Sequence, residues 1–166
     1  HLDLQPLRGS IREDLGTRDY TIDAMAARLS EAASGRIGLI DPAGGLADLR
    51  SGMVRAVSEA NLLDDPLRML RGARLAAVLG FKLDPVTADM IRRNAPQVAV
   101  SAFERQRDEI MLILGTDHAG AGLRLLDELG LLAHVLPELD VMRGVDQPKE
   151  HHWDVFDHSI EAVVAM

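Results

Sequence analysis

Asp64-Asp65-Pro66-Leu67-Arg68-Met69-Leu70-Arg71-Gly72-Ala73-Arg74 is where the pattern of the chain changes for good. Proline fixes φ and lacks an N–H, so Pro66 suits a first helical turn, and an aspartate just before it caps free amides and complements the helix dipole. Asp65 and Arg68 stand three apart and share a face at the helix start, and Arg71 and Arg74 continue the spacing as a basic strip. Two readings are open. One is a capped helix with an i,i+3 ion pair. The other starts from hydrogen-bond inventory, because a carboxylate only accepts and a guanidinium only donates. Side by side they complement the Watson–Crick edge of cytosine, an amine beside N3 and O2, and of adenine, an amine beside N1. Uracil and guanine oppose both groups, with a carbonyl facing Asp65 and an N–H facing Arg68. Arg71 and Arg74 are then free to neutralise phosphates.

Downstream of this stretch nearly everything reads as helix, with spans at 66–79, 85–94, 101–114, 117–129 and one starting near 151, separated by Gly, Pro and Asp or Asn signals. Apolar residues recur at spacings of three and four, as in Ile110 and Leu114 or Leu125, Leu126 and Leu129, and mark a packed core. Upstream the periods mix. His1 to Leu7 alternate as a half-buried strand, Gly9-Ser10 turns, and Ile11 to Gly16 is a charged stretch. Thr21 can cap a helix through Ile22, Met25, Ala26 and Leu29 that Gly35 ends. Arg36 to Ile40 and Met53 to Val57 are strand candidates on either side of the turn Asp41-Pro42-Ala43-Gly44-Gly45. The fold class expected is α+β, a short piece of sheet followed by an all-α region, with a junction near 58–64.

Composition narrows the function classes. The 166 residues are 47% hydrophobic and 27% charged, enough for a core and against disorder, and no apolar run approaches the roughly 20 residues of a membrane span. With no cysteine, a disulfide framework, a Cys-ligated zinc site and a thiol nucleophile are excluded. No signal-peptide pattern opens the chain, and a cytoplasmic location is expected. The net charge of −8 argues against nucleic acid, yet the charge is uneven. Residues 50–107 carry 10 basic and 6 acidic side chains, residues 108–166 carry 3 and 12, and 16 of the 18 basic residues are arginine. Binding follows where charge sits, and the only basic third holds the Asp65–Arg74 helix.

Further blocks carry a resemblance. Thr17-Arg18-Asp19-Tyr20-Thr21-Ile22-Asp23-Ala24-Met25-Ala26 is similar to the arginine–aspartate–aromatic–threonine block of the class II tRNA nucleotidyltransferase and bacterial poly(A) polymerase family. Asp41-Pro42 with Gly45 and Asp48-Leu49 follows, then Asp65-Pro66-Leu67-Arg68-Met69-Leu70-Arg71 leading into Leu79-Gly80-Phe81, then Glu104-Arg105 with Glu109. Gly130-Leu131-Leu132 with Leu136-Pro137-Glu138-Leu139, and His151-His152 with Asp154-Val155 and His158, complete the family order.

The resemblance implies the C-terminal part of a nucleotidyltransferase head over 1–60, a helical neck over 61–115 and the start of a helical body over 116–166. It implies addition of C and A to tRNA 3′ ends from CTP and ATP with Mg²⁺, Asp65 and Arg68 reading the incoming base. Arg71 and Arg74 fall at positions that contact the nucleotide's phosphates, and Arg18 and Asp19 in the block that holds the triphosphate and senses the ribose. A poly(A) polymerase, an enzyme restricted to A or to CC, a non-catalytic RNA-binding helical module, or a phosphohydrolase fragment built on His151, His152 and His158 are the alternatives. The chain departs from the family pattern at Thr17, Asp23 and Asp64, where Arg, Asn and Glu are usual. The family's Gly-Gly loop and Asp-x-Asp metal pair fall before His1, so this portion alone is expected to be inactive. Asp3 is the candidate third carboxylate for the metal pair, and two Mg²⁺ ions need at least two such groups.

Overall fold

The computed structural model describes residues 6–7, 9–35, 38–145 and 154–165. Its first helix, α1 (Ile11–Gly16), exists because the Ser10 hydroxyl accepts the Glu13 N–H while the Glu13 carboxylate accepts the Ser10 N–H at 2.7 Å, a reciprocal cap. A 3-10 turn (Thr21–Asp23) follows, then β1 (Ala26–Ala27), α2 (Leu29–Ala33), β2 (Leu39–Ile40), α3 (Gly45–Ser51), β3 (Met53–Val54) and α4 (Glu59–Asp64). The helical remainder is α5 (Leu67–Leu79), a short β4 (Lys82–Leu83), α6 (Pro85–Asn94), α7 (Phe103–Leu114), α8 (Ala119–Glu128), α9 (Leu132–Val135), α10 (Pro137–Asp140) and α11 (Val155–Val164). β1 pairs antiparallel with β2, Ala26 opposite Ile40, and β3 pairs parallel with β4, Met53 opposite Lys82. The α+β class and the late helices stand as expected, and Asp84-Pro85 starts α6 at the residue its sequence points to, Asp84 accepting the Thr87 N–H at 3.0 Å.

Three local expectations are corrected. The helix capped by Thr21 does not form, because the Thr21 hydroxyl donates to Asp48 at 2.7 Å and its N–H to the Arg55 carbonyl at 2.9 Å. Those long-range bonds leave one 3-10 turn, on which α3 sits so closely that a Cβ at Gly45 would fall 2.0 Å from the Thr21 carbonyl oxygen. The second strand ends at Val54, and the chain beyond it meets Tyr20 only through a bridge at Ala56. The turn at Asp41 leads into α3, since its carboxylate accepts the N–H groups of Gly45 and Leu46 at 2.7 and 3.0 Å. The opening strand over His1 to Leu7 lies largely outside the described residues.

α5 is the axis of the molecule. Leu67, Met69, Leu70, Ala73 and Ala76 are buried, α7 and α8 pack against it, and Ile91, Ile113, Leu126, Leu129 and Leu131 close the same core. The short N-terminal elements are fastened to the helices by charge. Arg55 donates to Asp48 on α3 at 3.1 Å and to Asp84 at the start of α6 at 2.6 Å, and both carboxylates are buried. Replacing Arg55 by methionine leaves two buried acceptors short of a donor, and the expected loss is about 2 kcal/mol of unfolding free energy. A denaturant midpoint unmoved by Arg55→Met would show that this network does not join the two regions.

Candidate functional site

The corner between α4 and α5 gathers the residues that the sequence singles out. Asp65 leaves α4 in extended conformation, and its carboxylate accepts the Leu67 N–H at 3.3 Å, which turns the chain into α5. The i,i+3 ion pair with Arg68 is absent. Asp65 instead takes Arg105 from α7 on both oxygens, at 2.8 and 3.4 Å, and Arg68 donates through Nη1 to the carbonyls of Thr17 and Asn61 at 3.0 and 2.9 Å. Burial alone would raise the Asp65 carboxyl, but the Arg105 hydrogen bond and charge, the Leu67 N–H and the nearby Arg68 charge together hold it below its ordinary value. Asp65 therefore stays an anionic acceptor with a donor fork beside it.

The second half of the site hangs on Tyr20, which has no exposed surface and whose hydroxyl donates to the Arg68 carbonyl at 2.7 Å. Burial pushes its phenol up, and the charge of Asp19 adds to the effect. That anchor fixes Asp19, 4% exposed, whose Oδ1 accepts the Tyr20 N–H at 3.1 Å. Oδ2 of Asp19 is buried without a hydrogen bond and lies 3.2 Å from Arg71 Nε. Asp23, exposed as a residue, has its carboxyl raised by desolvation and by Asp19 against the opposing charges of Arg71, Arg74 and Arg18. Arg18 is exposed and holds Asp14 at 2.8 Å.

Arg74 is differently placed. Its side chain is 18% exposed and donates at 2.6 Å to Glu109 of α7, itself 13% exposed, so the basic strip ends in a largely buried ion pair. Asn61, Arg105, Glu109 and Tyr20 complete the site, and none follows from the spacing around Asp65. The block Glu104-Arg105 with Glu109 signals two of them and the Thr17 to Ala26 block signals Tyr20, while nothing local points to Asn61.

Asp3, His151 and His152 lie outside the described residues. Asp154 caps α11, accepting the N–H groups of Asp157 and Gly144 at 2.8 Å each, which keep its carboxyl low, and Asp157 pairs with Arg124 at 3.2 Å. Among the described residues no group of three His, Cys, Asp or Glu side chains is placed to hold a metal, and no helix is long and apolar enough to cross a membrane.

Residues 2–55 match the family described as the poly A polymerase head domain, and residues 80–142 the one described as "Probable RNA and SrmB- binding site of polymerase A". An A-adding tRNA nucleotidyltransferase of Deinococcus radiodurans is 41% identical over 97% of this chain and 37% of its own length. A CC-adding tRNA nucleotidyltransferase of Thermus thermophilus is 39% identical over 98% and 37%. In structure, a Bacillus stearothermophilus CCA-adding enzyme in complex with CTP matches with a TM-score of 0.69 at 38% identity, over 76% of this chain and 31% of that one. A CCA-adding enzyme in complex with ATP matches with a TM-score of 0.70 at 26% identity, over 84% and 32%. The chain thus spans about a third of the length of these relatives.

Proposed function

Since the chain belongs to the family of class II tRNA nucleotidyltransferases and bacterial poly(A) polymerases, we propose that it is the nucleotide-selecting portion of an enzyme that adds C and A to tRNA 3′ ends. The observation that carries this reading is the α4–α5 corner, where an anionic Asp65 stands beside an Arg68 with no carboxylate at ion-pair distance among the described residues. An acceptor next to a donor fork accepts cytosine and adenine and opposes uracil and guanine. Arg105 donates to both oxygens of Asp65, so the carboxylate is held in place before a base arrives. Arg71, Arg18 and Asp19 would hold the ribose and triphosphate, Arg71 beside Asp19, and Arg74, also expected at the phosphates, is paired with Glu109 of α7.

The domain division proposed is head to residue 60, neck over 61–115 and body from 116, with the tRNA end as the RNA partner. Mg²⁺ in such an enzyme supplies activation of the RNA 3′ hydroxyl and stabilisation of the leaving pyrophosphate. Among the described residues no group of three His, Cys, Asp or Glu side chains is placed to hold it and Asp19 Oδ2 faces a guanidinium, while the candidate ligand Asp3 lies outside them. The α4–α5 corner serves selection and positioning of the nucleotide. Because similar relatives are named A-adding and CC-adding, an enzyme confined to one of the two nucleotides is the second reading, and product length on tRNAs lacking CCA or A separates them.

Asp65→Ala and Arg68→Ala in the full-length protein are each expected to cut discrimination against UTP and GTP by about tenfold or more, one lost hydrogen-bonding edge being worth that much. Both side chains are partly exposed, so folding should change little. Steady-state incorporation of all four nucleotides measures this, and unaltered discrimination in both variants would remove the base-reading role.

A further inference from the structure

We infer that Asn61 is a positioning residue for base selection, holding the Arg68 guanidinium and the Thr17–Asp19 segment in one fixed relation; this rests on the reading of Arg68 given above. Three successive main-chain carbonyls that leave α1 each meet a side-chain donor from the α4–α5 corner. Asn61 Nδ2 donates to Gly16 at 2.8 Å and to Arg18 at 2.7 Å, and Arg68 Nη1 donates to Thr17 at 3.0 Å. The other hydrogen of Arg68 Nη1 goes to the main-chain carbonyl of Asn61 at 2.9 Å, so the Asn61 side chain acts on Arg68 through the segment that carries the Thr17 carbonyl. Asn61 is itself fixed, since its N–H donates to the capping hydroxyl of Ser58 at 3.1 Å.

The consequence follows from donor counting. A guanidinium has five N–H donors in one rigid plane, and here both hydrogens of Nη1 are committed to carbonyls, which pins the plane along that edge. The Nε and Nη2 hydrogens are left as the edge a base can meet, and discrimination depends on that edge being held to a fraction of an ångström. The same amide takes the Arg18 carbonyl, one residue before Asp19, whose carboxylate faces Arg71. Asn61 therefore ties the base side of the site to the phosphate side without touching the nucleotide. Two donors on one short side chain are what the place requires. Aspartate would turn acceptors toward two carbonyls, and serine would supply one donor.

The test uses the full-length protein and steady-state incorporation of CTP, ATP, UTP and GTP by Asn61→Ala, Asn61→Asp, Asn61→Ser, Arg68→Ala and the Asn61→Ala/Arg68→Ala pair. Asn61→Ala and Asn61→Asp are expected to raise KM for CTP and ATP about tenfold, with kcat changed less than about threefold, and to cut discrimination against UTP and GTP by a factor of about ten. Asn61→Ser should recover part of each loss. In the Arg68→Ala background, Asn61→Ala should reduce discrimination by less than about twofold more, because both act through one guanidinium. Unchanged discrimination in Asn61→Ala and Asn61→Asp, or full additivity in the pair, overturns the inference while a loss in Arg68→Ala alone leaves that residue as base reader. Discrimination intact in Arg68→Ala overturns the base reading itself, and this inference with it. Should Asn61→Ala fail to fold, the serine and aspartate variants carry the same comparison.

Discussion

Gly72→Ala is expected to lower the unfolding free energy by about 3 kcal/mol, although alanine is the better helix former by roughly 1 kcal/mol. A Cβ at residue 72 would lie 2.1 Å from the Tyr20 hydroxyl oxygen, 2.7 Å from Cζ and 3.2 Å from Cε1. Neither side can yield cheaply. Tyr20 has no exposed surface and its hydroxyl is bonded to the Arg68 carbonyl one turn earlier on α5, while α5 is held from behind by α7 and α8. Overpacking of that kind displaces backbone, and the backbone displaced here carries Asp19 on one side and Arg68 on the other. Under the function proposed above, the same variant of the full-length protein should therefore weaken CTP and ATP binding even at temperatures where it is folded. Tyr20→Phe in the Gly72→Ala background removes the oxygen but leaves Cζ inside contact distance, so it should restore only part of the loss. Denaturant unfolding of the two variants and the pair measures this. An unmoved midpoint in Gly72→Ala would mean that Tyr20 does not pack on α5 as described.

What the sequence makes legible is what local chemistry decides. Asp84-Pro85 announces α6, and Pro66 with its preceding aspartates announces α5, because caps and proline act within one turn. Ser10 and Glu13 are a reciprocal cap by spacing, yet the charged stretch after them hides α1 from a reading built on apolar periodicity. Thr21 misleads because its hydroxyl serves Asp48, 27 residues away, and no local rule ranks that bond above a helix cap. The site divides in the same manner. Asp65 and Arg68 are neighbours by helical spacing, and their polarity is the ground of the base reading proposed above. Their real partners, Arg105 at a separation of 40 residues and the Thr17 carbonyl at 51, are tertiary facts. A glycine at 72 inside a helix reads only as a weak point until Tyr20 is seen against it.

Arg74 separates a structural role from a phosphate role most sharply. Its pair with Glu109 at 2.6 Å is largely withdrawn from water and joins the two helices that frame the site. Removing one member of such a pair leaves an uncompensated buried charge, so Arg74→Ala is expected to cost about 3 kcal/mol of stability. Replacing both members by apolar residues of similar length removes the stranded charge as well as the attraction, and is often close to neutral. Arg74→Met/Glu109→Leu should then unfold within about 1 kcal/mol of the parent chain. The nucleotide sorts the roles. If Arg74 acts only by bracing α5 against α7, CTP and ATP affinity should return with stability in the double variant. An Arg74→Met/Glu109→Leu protein as stable as the parent but binding CTP and ATP about tenfold more weakly would show instead that the guanidinium reaches the phosphates once they arrive. Because the two outcomes differ in binding at equal stability, denaturant unfolding and a nucleotide titration on the same three proteins decide between them.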